Sequence, residues 1–446
     1  MTETSQGPLR VAVLGCGNVG TALVELLADP DRHDELRTRA GVDLEVVGIA
    51  VKDTSRHRSE QPFFPHHLIT GDARSLVERD DIDIVVELIG GIEPAGSLIE
   101  AALRRGRPVI SANKALLAQS GAELAHIALA HGVDLLYEAA VAGAIPVIRP
   151  LRESLAGERV LRVMGIVNGT TNFILTAMAA EGVDYEDALD EAQSLGMAER
   201  DPTADVEGHD AAAKAAILGA LAFGCDVVSS DVPFEGISAV RAADVAFAQR
   251  LGYAIKLLAV AELVEGGPEI SVRVYPAMVR NSHPLATVNG SFNAVFIEGE
   301  HCGELMLYGR GAGGQATASA VLGDVIAAAR HHRSGFAAPA PSRGLPVKFR
   351  PTDELRSAYY LSIDVADRPG VLAAVAAVFG DHQVSIRSME QTGLGDEARL
   401  IFLTHVAREG DVIGCIADLR RLPVVDEVGG VLRIVDGDDD PGGMGA

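Results

Sequence analysis

A short apolar run that ends in three closely spaced glycines constrains this chain more than any other feature. The run LRVAVLGCGNVG has the apolar and β-branched residues of a buried strand, and it ends in Gly15, Gly17 and Gly20, with Asn18 and Val19 inside the loop. Between a strand and a helix, this spacing indicates dinucleotide binding, because it allows a tight turn, a close approach of a pyrophosphate and close helix packing. The competing interpretation is a glycine turn without a ligand.

Strands and helices then alternate along the first third of the chain. Apolar strands are predicted at Leu44 to Val51, Asp81 to Gly90 and Arg107 to Lys114, with a helix at Ser97 to Gly106. Near-continuous apolar strands that alternate with helices are typical of a parallel sheet with both faces covered. Residues 1–142 are therefore predicted to form a Rossmann dinucleotide-binding domain of the α/β class.

Beyond residue 142 the pattern of the sequence changes four times. The pattern of residues 143–332 predicts an α+β domain. Residues 333–355 are rich in proline, serine and basic residues, which is typical of a linker. Residues 356–436 predict the order strand, helix, strand, strand, helix, strand, which defines a ferredoxin-like βαββαβ module. Residues 437–446 are acidic and glycine-rich, which predicts a disordered tail.

The charge balance excludes two classes of partner. The 446 residues include 38 Lys and Arg against 62 Asp and Glu, a net charge of −24 that would repel nucleic acid and anionic membranes. No apolar run is long enough to span a membrane, and the beginning, MTETSQGPLR, lacks the pattern of a signal peptide. The four cysteines lie far apart and are interpreted as reduced, so a cytoplasmic location is expected.

The end of the second predicted strand carries residues that would contact the ribose of the adenosine half. Val51, Lys52 and Asp53 occupy the position where a dinucleotide fold reads this ribose, and Arg56 and Arg58 follow closely. The basic residues favour the 2′-phosphate of NADP, whereas Asp53 keeps NAD open. A solvated basic loop without a ligand is the remaining interpretation.

Five carboxylates and one lysine crowd into the segment LGMAERDPTADVEGHDAAAK. Asp210 and Lys214 stand four residues apart on a predicted helix, so they share one face. The helix is apolar beyond this point, and a lysine placed there can protonate a developing alkoxide while the carboxylates fix its position. An ordinary ion pair on a helix remains an alternative. The spacing does not match a calcium-binding EF-hand loop.

Four stretches together resemble the homoserine dehydrogenase family. They are GCGNVG at Gly15 to Gly20, SANKA at Ser111 to Ala115, NGTTN at Asn168 to Asn172, and the segment Leu195 to Lys214. The resemblance implies an NAD(P)H-dependent enzyme that reduces L-aspartate 4-semialdehyde to L-homoserine, on the route to threonine, methionine and isoleucine. It also makes residues 143–332 the catalytic, substrate-binding and dimerisation domain.

The resemblance implies roles for individual residues. Lys214 becomes the acid/base group, with Lys114 as a second candidate, because hydride addition to an aldehyde builds negative charge that an ammonium stabilises and protonates. The substrate-binding residues would be Gly196, Glu199, Asp205, Asp210 and Lys114. Beyond the glycine loop and the end of the second strand, the cofactor-binding residues would be Gly90, Ser111, Lys114 and Gly314.

The family also binds a monovalent cation, usually sodium. The resemblance maps this site onto Glu138, Val141, Gly143 and Ile145. Backbone carbonyl oxygens suit such a hard cation, and the turn AAVAGAI would supply them.

The segment Asp364 to Ile386 resembles an ACT domain, a regulatory module. In that fold the turn at Asp367 to Gly370 commonly meets a small amino acid where two modules join, and the pathway would make threonine the feedback ligand. A module that mediates only dimerisation is the alternative. A homodimer or homotetramer is expected in either case.

Two other functions remain open from the sequence. One is a different Rossmann reductase of an amino-acid-like aldehyde, and the other is a non-catalytic amino-acid sensor that keeps the dinucleotide fold. Oxidation of NADPH with aspartate semialdehyde as the substrate separates these alternatives from a homoserine dehydrogenase.

Overall fold

The computed structural model describes residues 7–60, 65–264, 268–335, 348–393 and 397–435, with the backbone alone at residues 58–60. The strands, in chain order, are β1 (Leu9–Leu14), β2 (Leu44–Ala50), β3 (Ile69–Thr70), β4 (Ile84–Glu87), β5 (Val109–Ser111), β6 (Leu135–Leu136), β7 (Val160–Ile166), β8 (Tyr253–Leu263), β9 (Glu269–Arg280), β10 (Phe292–Gly299), β11 (Gly303–Arg310), β12 (Lys348–Phe349), β13 (Arg356–Ala366), β14 (Ile386–Gly393), β15 (Glu397–Thr404), β16 (Ala407–Arg408) and β17 (Val425–Val435).

The α-helices follow the same order along the chain. They are α1 (Asn18–Ala28), α2 (His33–Ala40), α3 (Thr54–Glu60), α4 (Ala73–Glu78), α5 (Ala95–Arg104), α6 (Lys114–His131), α7 (Gly169–Glu181), α8 (Tyr185–Ser194), α9 (Thr203–Val206), α10 (His209–Phe223), α11 (Ala242–Arg250), α12 (Gly314–Ser334), α13 (Val371–Asp381) and α14 (Glu409–Leu419). No helix among the described residues is long and apolar enough to cross a membrane.

The chain divides into two compact units, each built from separate stretches of sequence. The first unit comprises the described parts of Met1–Val160, Ala216–Val232 and Glu298–Leu345, and the second comprises those of Leu161–Ala215, Pro233–Ile297 and Pro346–Ala446.

The first unit contains a parallel sheet with the strand order β3-β2-β1-β4-β5-β6. This order is that of a dinucleotide-binding Rossmann fold, in which the first strand lies beside the point where the order reverses. The strands are buried on both faces, and Val11, Val13, Ile84 and Val86 of β1 and β4 are almost fully excluded from solvent. The predicted α/β fold class is confirmed.

Helix α12 belongs to the core of the first unit, although it lies far along the chain. Its buried face includes Val321, Leu322 and Val325, which share one apolar core with Leu23 of α1 and the strands of the sheet. The predicted span 143–332 therefore differs from the compact units, because the apolar face of α12 covers the Rossmann sheet. The spacing of apolar residues within α12 does not indicate which distant sheet it covers.

The second unit contains a long antiparallel pair, β8 and β9, which pairs from Tyr253 opposite Arg280 to Leu263 opposite Ile270. Its sheet continues in the order β10-β7-β8-β9-β17-β13-β15-β14. Within the predicted α+β domain, the sequence pattern did not indicate β8. Because β8 is buried along most of its length, it lacks the alternation of polar and apolar residues that marks a half-buried strand.

The βαββαβ module predicted from the sequence is present as β13, α13, β14, β15, α14 and β17. Its core includes the ring pair Phe379 and Phe402, whose centroids lie 4.8 Å apart. Strand β17 also pairs in parallel with β9, from Arg433 opposite Ala277 to Val435 opposite Val279. Of the predicted linker, residues 336–347 lie outside the described residues, as does the predicted tail 437–446.

Candidate active site

The glycine loop between β1 and α1 is shaped by close backbone contacts. Gly15 has a φ of +95°, and a Cβ there would lie 2.5 Å from the carbonyl oxygen of Leu88. A Cβ at Gly20 would lie 2.3 Å from the carbonyl oxygen of Gly15. Both positions therefore accept only glycine in this turn. Burial raises the pKa of the Cys16 thiol inside the loop, which makes it a weak nucleophile.

Gly17 differs from its two neighbours because a Cβ there would meet no atom within 4 Å. It is the N-cap of α1, and its side-chain-free position leaves the first turn of the helix without a side-chain cap. Open space in front of uncapped N–H groups at a helix N-terminus suits a pyrophosphate, so the loop fits a dinucleotide. Gly314 lies beside this loop, since a Cβ there would be 3.1 Å from the carbonyl oxygen of Asn18.

The carboxyl ends of β4 and β5 are joined by a buried carboxylate. Glu87 accepts hydrogen bonds from the backbone N–H groups of Ile89 (2.7 Å) and Gly90 (3.1 Å) and from the hydroxyl of Ser111 (2.7 Å). Two predicted cofactor residues, Gly90 and Ser111, are therefore brought together. Glu87 was not predicted from the sequence as a site residue. It ends the apolar strand DIDIVVE, and an acidic residue at the end of a buried strand is the signal that would have identified it.

Lys114 is exposed at the start of α6. The helix is capped by Asn113, whose Oδ1 accepts from the N–H of Leu116 at 3.2 Å and whose amide donates to the carbonyl of Gly91 at 2.6 Å. The cap links the loop after β4 to the beginning of α6, and so it fixes the backbone that carries Lys114.

At the end of β2 the residues predicted to contact the ribose lie in two environments. Val51 is buried, whereas Lys52 and Arg56 are exposed. The Asp53 carboxylate accepts from the N–H of Arg56 at 2.9 Å, so it caps α3. His57 was not predicted from the sequence as a site residue. Its Nε2 donates to the carbonyl of Cys16 at 2.6 Å and so connects α3 to the glycine loop.

The predicted cation turn has unusual backbone geometry. Ala142 and Gly143 both have positive φ values, of 55° and 58°. A left-handed alanine is strained, and such strain is often held at functional sites. A Cβ at Gly143 would lie 2.3 Å from the carbonyl oxygen of Gly311. The backbone oxygens of this turn are the donor type that a hard monovalent cation takes.

Glu138, the acidic residue of the predicted cation site, is buried beside that turn. Its carboxylate accepts from the backbone N–H groups of Ile148 (2.7 Å) and Arg149 (3.0 Å), and its own N–H donates to Asp324 at 2.8 Å. Burial raises the pKa of Asp324 to about 6, and the Arg149 guanidinium, which also bonds Asp324, opposes that shift. Among the described residues, no three His, Cys, Asp or Glu side chains form a metal-binding cluster.

The carboxylate and lysine cluster is assembled in the second unit. Lys214 Nζ donates to Asp210 Oδ2 at 2.7 Å and to the carbonyl of Val167 at 2.6 Å. Both side chains are buried, with 11% of the lysine and 6% of the aspartate exposed. The pair is therefore buried, unlike the solvated ion pairs found on helix surfaces. Removing both charges from water costs free energy, which close geometry and further hydrogen bonds must offset.

Asn168 joins the members of this cluster. Its amide Nδ2 donates to Asp205 Oδ1 at 2.7 Å and to Asp210 Oδ2 at 2.9 Å, while its Oδ1 caps α7 by accepting from the N–H of Thr171. The sequence analysis singled out the NGTTN stretch as a family motif but gave no role to Asn168. A polar residue immediately before a predicted helix is the signal that would have found it.

Gly196 and Glu199 lie in an exposed loop after α8. This loop is held by two side chains, Thr170, which donates to the carbonyl of Met197 at 2.9 Å, and Gln193, which donates to the carbonyl of Glu199 at 3.0 Å. The predicted substrate residues Asp205 and Asp210 share Asn168, whereas the hydrogen bonds of the Glu199 region involve its backbone. Lys114 and the residues predicted to bind the cofactor belong to the first unit.

A Rossmann sheet with a glycine cradle, together with a buried lysine held by a carboxylate, defines a dinucleotide-dependent oxidoreductase. Three family models match the chain: "Homoserine dehydrogenase, NAD binding domain" over residues 15–138, "Homoserine dehydrogenase" over residues 146–326, and "ACT domain" over residues 359–424. The chain belongs to the homoserine dehydrogenase family.

Similar proteins match over nearly full length. The chain is 52% identical to a homoserine dehydrogenase of Corynebacterium glutamicum, with 95% of each chain covered. It is 50% identical to one of Mycobacterium tuberculosis, with 96% of this chain and 98% of the relative covered. A solved homoserine dehydrogenase of Thiobacillus denitrificans is 39% identical, with a TM-score of 0.90 over 97% of this chain and 99% of that one.

A hyperthermophilic archaeal homoserine dehydrogenase, solved in complex with NADPH, is more distant. It is 30% identical, with a TM-score of 0.61 over 72% of this chain and 97% of that one.

Proposed function

We propose that Lys214 is the proton donor in the NAD(P)H-dependent, reversible reduction of L-aspartate 4-semialdehyde to L-homoserine. The observation that carries this role is the buried Lys214 ammonium, held by Asp210 and by the carbonyl of Val167. Hydride addition builds negative charge on the aldehyde oxygen, and a fixed ammonium stabilises that charge and supplies the proton. In the reverse direction the same amine takes the proton from the hydroxyl of homoserine.

The neighbouring carboxylates would hold the amino-acid end of the substrate. Asp205 and Asp210 lie on either side of the Asn168 amide, which fixes their positions. Glu199 and Gly196 complete the set from the adjacent loop, whose backbone is held by Thr170 and Gln193. Negative charges suit the ammonium group that this substrate carries.

The cofactor would be held by the first unit, and when bound its reduced nicotinamide supplies the hydride. The glycine loop from Gly15 to Gly20 would contact the pyrophosphate, and Gly90, Ser111 and Gly314 would complete the cradle. We favour NADP over NAD because Lys52 and Arg56 are exposed at the end of β2, while the carboxylate of Asp53 caps α3. The archaeal relative in complex with NADPH supports this preference.

Lys114 is the second candidate for the proton donor. It is exposed at the beginning of α6, whereas Lys214 is buried and is held by Asp210 and the carbonyl of Val167. We assign to Lys114 the orientation of substrate or cofactor, because preorganisation is what makes an electrostatic donor effective.

A monovalent cation, sodium in the family, would be held by the carbonyl oxygens of the turn at Val141, Gly143 and Ile145, together with Glu138. The two left-handed residues of that turn and the chemistry of its backbone oxygens support the assignment. The cation would order this turn.

Threonine is the effector that the ACT module would bind. Support comes from the match of the module to the ACT family model and from the turn at Asp367 to Gly370, which precedes α13. Isothermal titration with threonine tests this role, and the absence of both heat and inhibition would remove it.

A homodimer or homotetramer and a cytoplasmic location complete the proposal. Strand β11 exposes Leu305 and Tyr308 (39% and 54%), as strands at subunit interfaces often do. All four cysteines, Cys16, Cys225, Cys302 and Cys415, are free, which fits a reducing compartment.

The substitution Lys214→Ala tests the proton donor. We expect it to lower kcat in both directions by about 100-fold or more, the range of general acid catalysis, while NADPH binding measured by nucleotide fluorescence stays unchanged. Lys114→Ala is the matched control and should retain more turnover. A Lys214→Ala enzyme with a near-normal kcat would overturn the assignment.

A further inference from the structure

A second buried lysine lies outside the residues assigned so far. Lys256, on β8, is 3% exposed. Its Nζ donates to the carbonyl of Val288 (2.5 Å), to Asn172 Oδ1 (3.1 Å) and to Asn289 Oδ1 (3.3 Å). These three acceptors are neutral oxygens, so the amine is bound by dipoles.

Asn172 joins this amine to the loop before β10. Its amide Nδ2 donates to the carbonyls of Val288 (3.1 Å), Gly290 (2.9 Å) and Phe292 (3.1 Å). Asn172 is only 1% exposed, and its side chain contacts both Lys256 and the 288–292 loop, which Lys256 also meets directly at Val288 and Asn289. Lys256 and Asn172 share the carbonyl of Val288 as an acceptor.

The same loop lies against the beginning of α7. A Cβ at Gly169, the first residue of α7, would lie 2.8 Å from the carbonyl oxygen of Ser291. The residue before it is Asn168, whose side chain binds Asp205 and Asp210. A shift of the 288–292 loop would therefore move the end of the helix that carries Asn168.

A buried ammonium without a carboxylate partner destabilises a protein unless its hydrogen bonds repay the loss of water. Burial lowers the pKa of Lys256 to about 8, which expresses that cost. A methionine at position 256 would fill the same space without the cost of burying a charge. The amine instead donates hydrogen bonds to the carbonyl of Val288 and to the side-chain oxygens of Asn172 and Asn289, and so links β8, α7 and the loop.

We propose that Lys256 is a positioning residue for the reaction: through Asn172 and the 288–292 loop it fixes the beginning of α7, and with it the Asn168 side chain that orients Asp210 beside Lys214. This inference rests on the proposed role of the Asp210 and Lys214 pair. It assigns to Lys256 no contact with substrate or cofactor.

Lys256→Met is the first test, with Leu258→Ala as its matched control. Leu258 lies two residues along the same strand and is fully buried, so it shares the face of β8 with Lys256 but supplies no hydrogen bond to the loop. We expect Lys256→Met to lower kcat by about tenfold or more, because small displacements of a catalytic group have effects of this size. NADPH affinity should be unchanged, and Leu258→Ala should retain kcat at temperatures where it is folded.

A double-mutant cycle with Asn168→Ala tests the route of the effect. If Lys256 acts through Asn168, Lys256→Met should change kcat less than about twofold in the Asn168→Ala background. Equal fold-losses in both backgrounds would overturn the proposal, as would a Lys256→Met enzyme that loses stability but keeps kcat. The cycle is independent of the Lys214→Ala result, so failure of the proton-donor role is read separately.

A second variant keeps the test available if Lys256→Met does not fold. Asn172→Ser shortens the side chain that links the amine to α7 and leaves Lys256 its bond to Val288. The same loss of kcat, with unchanged NADPH affinity and the same lack of additivity with Asn168→Ala, is expected. A normal kcat in Asn172→Ser would contradict the proposed route.

Discussion

Gly15 and Gly17 are two residues apart in one loop, yet glycine is needed at the two positions for different reasons. A Cβ at Gly15 would lie 2.5 Å from the carbonyl oxygen of Leu88, and its φ of +95° is unfavourable for other residues. Gly17 has an ordinary φ of −80°, and a Cβ there would meet no atom within 4 Å. The fold itself therefore requires glycine at position 15, whereas at position 17 we attribute the requirement to the proposed nucleotide.

Gly17→Ala should consequently leave the thermal stability of the free protein unchanged. Its methyl group would occupy the space that the pyrophosphate approaches, so we expect the Kd for NADPH to rise by about tenfold, the size of a modest steric conflict. Gly15→Ala should also lower the free energy of unfolding, by about 1 to 3 kcal/mol. Calorimetry without and with NADPH measures both effects, and a Gly17→Ala protein that binds normally would contradict the placement of the nucleotide.

Lys256 makes stability depend on pH in the alkaline range. Burial lowers its pKa to about 8, against about 10.4 in an unfolded chain. Between these values the unfolded state binds more protons, so the free energy of unfolding rises with pH, by up to about 1.4 kcal/mol per pH unit. Below about pH 8 both states are protonated and this contribution stays constant.

Urea unfolding of the wild type and of Lys256→Met at several pH values between about 7 and about 10 measures this contribution. The wild type should gain stability relative to the variant only in the upper half of that range. Parallel pH profiles for the two proteins would show that the lysine titrates alike in the folded and unfolded states.

At the scale of elements, the sequence predicted most local structure but not the contacts between distant segments. The alternation of apolar strands with helices was sufficient to predict the Rossmann sheet, and helix α10 (His209–Phe223) contains Asp210 and Lys214 as expected. The cluster of Asp210 and Lys214 followed from helical spacing alone. Each of these features depends on residues close together in the chain.

The features that the sequence analysis missed join segments far apart. The Lys256 amine meets Asn172 and the 288–292 loop, and Asn168 meets Asp205 and Asp210. No periodicity within one segment encodes such a meeting. Residue type gave a partial signal, because buried Asn and Lys side chains require partners, but the identity of the partner depends on the tertiary fold.

Helix α12 should contribute to the stability of the first unit through its buried face. Leu322→Ala removes a side chain that is 4% exposed in the core shared with α1, and we expect a loss of about 2 to 5 kcal/mol in the free energy of unfolding. Ser319→Ala, at an exposed position of the same helix, is the control and should change it by less than about 0.5 kcal/mol. Denaturant unfolding measures both, and equal effects would place α12 outside the core.

At the scale of the whole molecule, each compact unit is built from segments that are far apart in the sequence. The first unit combines the residues up to Val160 with Ala216–Val232 and with α12, which begins at Gly314. A fragment of residues 1–160 would therefore expose the surface of the sheet and of α1 that α12 covers. Such exposed apolar surface leaves a small domain marginally stable.

We expect the fragment 1–160 to lack a cooperative thermal transition and to bind NADPH weakly. Joining residues 216–232 and 298–335 to it through flexible linkers should restore both properties, since the linked segments return α12 and the rest of the first unit to its core. The joined fragment with Leu322→Asp is the control and should behave like the short one. Cooperative unfolding and normal NADPH binding by residues 1–160 alone would contradict this account.

The pairing of β17 with β9 also sets an order of events in synthesis. Near Ala277 to Val279, one edge of β9 is covered by β8 and the other by residues 433–435 of β17. Until those residues leave the ribosome, the growing sheet presents an unpaired strand edge, which is a surface prone to association. The sheet of the second unit is thus completed only after β17 has been synthesised, long after β8 and β9.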